Sequence, residues 1–323
     1  MFTRADAAEI RCGLGELDFT SSSAEPSRSA FDAYFKFYKF APNVTGAGSS
    51  HTAGIIHAAG FDVVVQYFKP IGTISLGTVV LLHGYLDHAG IYQHVIEHCL
   101  AQGLDVVIFD MPGHGLSSGE VASIESFDVY CKVLLCLLDA MDNAELPGPW
   151  HLLGQSTGAA VMIDCLLKNR FPKQFPLTKF IALAPLLRPY AWQKSRFLFS
   201  LSRLFLSSTK RKFSENSHDQ KFLDFLKFED QLQSKLLMRD WILAMVKNQR
   251  QFGLAAVNQT SLQIIQGTAD TTVDWEYNLE EFKAKFPNLL IEQIPGARHH
   301  LVNESEAYRG QVFAALDRAL GLI

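Results

Sequence analysis

The sequence predicts an α/β fold: a mostly parallel central sheet with helices on both sides and a helical cap inserted into it. Three observations lead there. Short apolar runs alternate with helical stretches along most of the 323 residues. The turn "GQSTG" places Ser156 between two glycines, with a strand pattern before it and a helix pattern after it. Between about Leu187 and Gln251 the alternation stops, and aromatic-rich helical sequence replaces it.

The elements follow in order. Within the first fifty or so residues, "FDAYFKFYKF" sets Phe31, Tyr34, Phe35 and Tyr38 at helical spacing. It reads as a helix packing on the main body, the alternative being an aromatic face for a membrane surface or partner. "FDVVVQYF" and "GTVVLLHG" read as strands, the second apolar on both faces. "AGIYQHVIEHCLAQG" reads as a helix closed by Gly103. "LDVVIFD" is a buried strand, and "SFDVYCKVLLCLLDAM" a helix with Ser126 at its N-cap. "WHLLG", "TGAAVMIDCLLKN" and "KFIALAPL" continue as strand, helix and strand. After about residue 260 the alternation resumes through "SLQIIQG", "NLEEFKAKF", "LLIEQIP" and "AYRGQVFAALDRAL". This divides the chain into an N-terminal extension (1–54), a core (55–186 and 252–323) and a cap (187–251). The cap reads as several helices without a strand. It holds Trp192, Phe197, Phe199, Phe205, Phe213, Phe222, Phe225, Phe228 and Trp241.

Composition narrows the function. Lys and Arg are scattered and the net charge is −4, so no nucleic-acid partner is expected. No apolar stretch approaches the ~18–20 residues that span a bilayer. The N-terminus lacks the basic start and apolar block of a secretory signal. The five cysteines, Cys12, Cys99, Cys131, Cys136 and Cys165, have neither disulfide arithmetic nor metal-ligand spacing. Reduced thiols in a cytoplasmic protein are expected, with no metal and no cofactor.

The chemistry centres on Ser156. A strand-to-helix turn this tight strains the serine backbone and raises its Oγ, while Gly154 and Gly158 remove collisions with neighbouring chain. A serine hydroxyl needs a histidine to take its proton and an acid to orient that histidine. In parallel-sheet hydrolases the chain order is serine, acid, histidine. His218, His299 and His300 follow Ser156, but His218 lies within the cap and before the candidate acid. Asp270 falls just beyond the strand "SLQIIQG"; Asp274 reads as the N-cap of the next helix. The oxyanion hole needs two backbone N–H groups. Thr157, after the nucleophile, and Tyr85, after Gly84, supply them. His83 precedes the serine and reads as structural.

Four stretches together resemble the α/β-hydrolase superfamily, and within it the monoacylglycerol lipase and lysophospholipase group, which is related to serine aminopeptidases. They are "LLHGYLDHAGIY", "VVIFDMPGHGLSSG", "LLGQSTGAA", and "GTADTTVD" followed by "GARHHLVNES". The resemblance covers roughly residues 60–185 and 255–323; the first fifty residues and the cap lie outside it. It implies the α/β-hydrolase fold. The group's His-x-Leu-x-x-Glu pattern matches His299, Leu301 and Glu304, which makes His299 the base. Asp110, Gly113, His114 and Gly115 match a loop-shaping stretch. The expected triad is therefore Ser156, Asp270 and His299, with Tyr85 and Thr157 as oxyanion donors. The implied substrate is a small ester, a lipid ester being one form, with an apolar acyl chain in a pocket lined by cap aromatics. An aminopeptidase on the same triad, with cap acids Glu215, Asp219, Asp224, Glu229 or Asp230 holding the amine, is the alternative, as is an inactive binding protein.

Overall fold

The computed structural model describes residues 1–20, 25–41, 49–192 and 206–323. Among the described residues there are ten strands: β1 Ser49–Ala58, β2 Phe61–Pro70, β3 Thr78–Leu82, β4 Asp105–Phe109, β5 Trp150–Gln155, β6 Leu177–Leu183, β7 Ser208–Lys210, β8 Leu236–Met238, β9 Gln263–Gly267 and β10 Leu290–Ile294. Eight of them form one sheet in the order β1-β2-β4-β3-β5-β6-β9-β10. β1 pairs antiparallel with β2, and β2 with β4; every later neighbour is parallel.

The central parallel strands β3, β4 and β5 are buried at every position because both their faces are covered. In β3, Val80 and Leu82 join one buried cluster while Val79 and Leu81 join the other. β4 divides the same way, Val107 and Phe109 against Val106 and Ile108. That is the two-residue period of a strand with helices on each side. The first cluster packs α4 (Phe127–Asn143), α5 (Thr157–Leu167), α7 (Arg239–Leu254) and α8 (Trp275–Lys285) against the sheet. The second packs α1 (Arg4–Gly13), α2 (Glu25–Phe37), α3 (Gln93–Ala101) and α9 (Glu306–Leu320). Each buried aliphatic side chain contributes roughly 1.5–3 kcal/mol. Ser126 caps α4, accepting from the Asp128 N–H.

The aromatic helix settles onto the body. Phe31, Tyr34, Phe35 and Tyr38 are all buried, against β2 and the turn around Gly90. Its aromatic face is therefore not offered to a membrane, which corrects the alternative entertained from sequence. The first strand begins at Ser49 rather than near residue 61, because "SSHTAGIIHA" pairs along its whole length with β2.

The cap also differs from the all-helical expectation. β7 and β8 form a small antiparallel ladder, Ser208 opposite Met238 and Lys210 opposite Leu236. The described cap helices are the one-turn α6 (Gln220–Asp224), continued by a π turn over Phe225–Glu229, and α7. Phe197, Phe199 and Phe205 lie outside the described residues. All five cysteines are free thiols, Cys12 and Cys136 exposed and the others buried. No helix among the described residues is long and apolar enough to cross a membrane.

Candidate active site

The site assembles at the carboxyl ends of β3, β5, β9 and β10, where loops leave the sheet. Ser156 sits between β5 and α5 with φ 53° and ψ −107°. A non-glycine residue in that region stores about 1–3 kcal/mol of strain. The surrounding chain holds it there: the Ser156 N–H donates to Leu183 O at 2.8 Å, and Ser156 O accepts from the Leu186 N–H at 3.1 Å. A Cβ on Gly158 would lie 2.1 Å from Leu82 O, and one on Gly154 2.5 Å from Ala159 N. Both glycines are thus required by close backbone approach.

The three expected side chains meet. Ser156 Oγ lies 3.1 Å from His299 Nε2, and His299 Nδ1 lies 2.7 Å from Asp270 Oδ2. Asp270 Oδ1 accepts from the N–H groups of Thr272 (2.7 Å) and Val273 (3.1 Å), and Gln266 Nε2 donates to Oδ2 at 3.1 Å. All three residues are buried. Burial pushes the Asp270 carboxyl up, but the His299 charge and these hydrogen bonds outweigh it and hold the group below its ordinary value. Burial pulls the His299 imidazole down; Asp270 outweighs that and raises it above its ordinary value. The result is an imidazole poised as a base, with the tautomer fixed by the carboxylate.

The loop that carries His299 is anchored on both sides. A Cβ on Gly267 would lie 2.4 Å from Ala297 O, so only glycine at the end of β9 admits the loop. Gln155 Nε2 donates to His299 O at 3.0 Å. Glu304, fully buried, accepts from the N–H groups of Arg298 (2.6 Å) and His218 (2.8 Å) and pairs with His218 Nδ1 at 2.9 Å. His218 is accordingly tied up in loop support.

The oxyanion candidates flank the serine. Thr157 opens α5, and a Cβ on Gly84 would lie 3.5 Å from Ser156 Cβ, which brings the Gly84–Tyr85 backbone beside the nucleophile. Among the described residues neither the Tyr85 nor the Thr157 main-chain N–H donates to a protein acceptor. The Tyr85 ring stacks on Trp241 of the cap with centroids 3.6 Å apart and planes 10° apart. Its hydroxyl donates to Ala122 O at 2.8 Å. His83 supports the same loop: Nδ1 donates to Gly84 O at 2.7 Å, and Nε2 accepts from the Met111 N–H at 2.8 Å. Burial, with His114 nearby, pushes His83 down to about 3, so it stays neutral. Asp110 accepts from the N–H groups of Ala89 (2.6 Å) and Leu116 (2.7 Å), bracing the two loops. Asp274 stands at the N-cap position of α8 but makes no capping bond; its carboxylate instead holds the Arg188 guanidinium.

A cavity of about 700 Å³ opens over the serine, between the sheet edge and the cap. Ser156 and His299 line its floor. Leu186, Trp192, Trp241, Ile242 and Met245 form an apolar wall. Two of the cap aromatics named from sequence, Trp192 and Trp241, line it; none of the described cap phenylalanines does. Phe225 packs on Phe37 and Tyr38, Phe222 on His300, and Phe228 is exposed. Sequence reasoning also passed over Lys210, Arg211 and Lys212, which line the cavity from the cap. Their signal was the run "TKRKF", hidden by reading the basic residues as scattered.

A family model described as "Serine aminopeptidase, S33" (Hydrolase_4) matches residues 74–306. Human monoglyceride lipase is 34% identical over 112 residues, 34% of this chain and 36% of that enzyme, so the match spans about a third of that relative's length. A monoglyceride lipase homolog of Monkeypox virus is 24% identical over 261 residues, covering 79% of this chain and 92% of the viral protein. A soluble variant of Saccharomyces cerevisiae monoglyceride lipase, solved with a substrate analog, shares the fold at TM-score 0.70 and 16% identity, over 85% of this chain and 96% of that one.

Proposed function

The chain belongs to the Hydrolase_4 family, serine aminopeptidase S33, with the α/β-hydrolase fold, and from that premise we propose that it is a serine ester hydrolase acting on an apolar acyl chain. Ser156 Oγ attacks the ester carbonyl as His299 Nε2 takes its proton. Asp270 orients the imidazole and stabilises its charged form. The N–H groups of Tyr85 and Thr157 hold the oxyanion. Collapse expels the alcohol, which leaves with the proton on His299. Water, activated by the same imidazole, then releases the acid from Ser156.

The observation that carries this reading is the Ser156–His299–Asp270 hydrogen-bond chain, 3.1 and 2.7 Å, opening into a cavity with one apolar wall. An aminopeptidase needs a carboxylate in the cavity to hold an amine. Three of the five cap acids are committed elsewhere: Glu215 pairs with Arg298, Asp219 caps α6 and Asp230 pairs with His88. None of the five cap acids named from sequence lines the cavity among the described residues. Asp87 does line the cavity but already accepts from the Tyr92 hydroxyl at 3.1 Å and faces His300 Nε2 at 3.2 Å, so esters are favoured over aminoacyl amides, and an intact triad favours catalysis over a binding role.

The test is turnover of acyl esters of increasing chain length, beside an aminoacyl amide, by the wild type and Ser156→Ala. Ester turnover that depends on Ser156 and improves with chain length supports the reading. Preferential amide turnover, or full esterase activity in Ser156→Ala, overturns it.

A further inference from the structure

The turn that offers the Tyr85 N–H is strained, and it is held from a side that the triad does not supply. The Gly84 C=O and the Tyr85 N–H belong to one planar trans peptide and point opposite ways, so fixing the carbonyl aims the N–H. The carbonyl accepts from His83 Nδ1 at 2.7 Å and from the Asp87 N–H at 3.2 Å. The second bond closes a β-turn over Gly84–Asp87. Leu86, its third residue, has φ 70°, a left-handed value that a type II turn requires there and that glycine usually fills. A leucine stays in that conformation only where its surroundings over-determine it.

Those surroundings converge on one carboxylate. Asp87 ends the turn and is buried. Its Oδ2 accepts from the Tyr92 hydroxyl at 3.1 Å and lies 3.2 Å from His300 Nε2. The same hydroxyl accepts from the Gly84 N–H at 3.0 Å, so its one proton is committed to Asp87. Burial pushes the Asp87 carboxyl up, but His300, assisted by His83 and Arg211, outweighs it and holds the group below its ordinary value. Asp87 is therefore an anion, and it stands close to the reaction: a Cβ on Gly84 would lie 2.6 Å from Asp87 Oδ2 and 3.5 Å from Ser156 Cβ. His300 arrives from the opposite loop. Its N–H donates to Asn216 O at 2.8 Å, and the Phe222 ring meets it edge-on with centroids 4.9 Å apart. Adjacent histidines thus face two partners: His299 reaches Ser156, and His300 reaches Asp87.

An uncompensated anion here would oppose the negative charge that grows on the substrate carbonyl oxygen, and a turn free to relax would move the Tyr85 N–H. The contact with His300 answers both needs. We propose that Asp87 and His300 are positioning residues for catalysis: their contact, braced by Tyr92, locks the oxyanion turn to the loop that carries His299. Both act through the Tyr85 N–H rather than on the substrate. This rests on the ester-hydrolase reading and deepens it, adding to the triad a link between its base and its oxyanion donor.

The test is a kinetic cycle on one acyl ester. Each kcat is expressed per active site, titrated to completion with a fluorophosphonate, so that misfolded protein drops out. Asp87→Asn, His300→Leu and Tyr92→Phe should each lower kcat by about tenfold to a hundredfold, short of the ~10²–10³ that outright loss of an oxyanion donor costs. KM should stay within about twofold of the wild type, as for an interaction made only in the transition state. The Asp87→Asn, His300→Leu double variant should lose no more than the worse single one, because the two side chains act as a pair. His300→Gln, which keeps an N–H donor, should recover part of the loss. An acyl-chain boronic acid reads the geometry directly. Its tetrahedral adduct on Ser156 places an oxygen at the oxyanion site, so its Ki should rise in step with the fall in kcat. Losses that add in the double variant, that appear only in KM, or that leave the boronate Ki unchanged overturn the proposal, as do variants with wild-type kcat; ester hydrolysis stands in each case. A wild type that turns over only aminoacyl amides overturns the ester reading instead, and the same cycle run on the amide still decides the pair.

Discussion

At the scale of single residues, the account depends on a serine held in strain beside a histidine whose proton affinity is set by one carboxylate. Replacing Ser156 with alanine should lower kcat by about 10⁴–10⁶, read as residual ester turnover. Asp270→Asn should cost about 10⁴ in kcat, because the imidazole loses its orientation and its stabilised charged form. The pH dependence has a definite sign. The base must be neutral, so kcat/KM rises with pH through the His299 ionisation, at a midpoint above the ordinary 6.5 because Asp270 raises it. In Asp270→Asn burial is opposed only by the more weakly coupled Asp87, and the His299 pKa should drop, read by NMR titration of the ring. Unchanged His299 titration in that variant would contradict the electrostatic argument. Gly158→Ala places a carbon 2.1 Å from Leu82 O and should lower the melting temperature as well as activity. Gly310→Ala, where a Cβ meets open space, is the control expected to leave the melting temperature in place or raise it.

At the scale of elements, the cap is tied to the body by a buried cluster remote from the triad. His88 Nε2 donates to Asp230 Oδ2 at 2.9 Å, the Tyr38 hydroxyl donates to Oδ1 at 3.0 Å, and Arg4 donates to Leu232 O at 2.6 Å. Loop, cap and both N-terminal elements meet there. Burial opposes ionisation of both members, but their mutual attraction raises His88 and lowers Asp230. The His88 contribution to stability is complete below the ordinary 6.5 and is lost as pH rises through its higher folded value. The Asp230 contribution is complete above the ordinary 3.8 and is lost as pH falls through its lower folded value. Asp230→Asn should therefore cost about 3–5 kcal/mol, measured by denaturant unfolding between those two pH values, with a smaller difference outside them.

The elements also separate what sequence discloses from what it conceals. β3, β4 and β5 were legible because strands covered on both faces are dominated by consecutive apolar residues. Ser156, Asp270 and His299 were legible because each follows a strand end in the order that the chemistry needs. β1 was not, since "SSHTAGIIHA" mixes polar and apolar residues and gains strand geometry from pairing with β2. β7 and β8 are three residues each, too short for any period to show. Asp274 occupied the right place for a cap, but Arg188, distant in sequence, took its carboxylate. The basic lining of the cavity, Lys210, Arg211 and Lys212, was hidden for the same reason, because only the fold brings the cap over Ser156 and His299.

At the scale of the whole molecule, the cap does more than cover the cavity. Trp241, on α7, stacks on Tyr85, the residue whose N–H is proposed as an oxyanion donor. Cap position and oxyanion geometry are thereby coupled through one ring contact. Trp241→Ala should lower kcat by up to about 10², the cost of a misplaced oxyanion donor, whereas Trp241→Phe should retain most activity. Both are read from saturation kinetics on one ester. A Trp241→Ala defect confined to KM would mean that the ring only packs against substrate. The most direct measurement of the central claim is intact-protein and peptide mass spectrometry after reaction with a fluorophosphonate. The account predicts one adduct, on the Ser156 peptide, absent in Ser156→Ala and strongly slowed in His299→Ala; an adduct on another residue, or labelling that persists undiminished in Ser156→Ala, would contradict it.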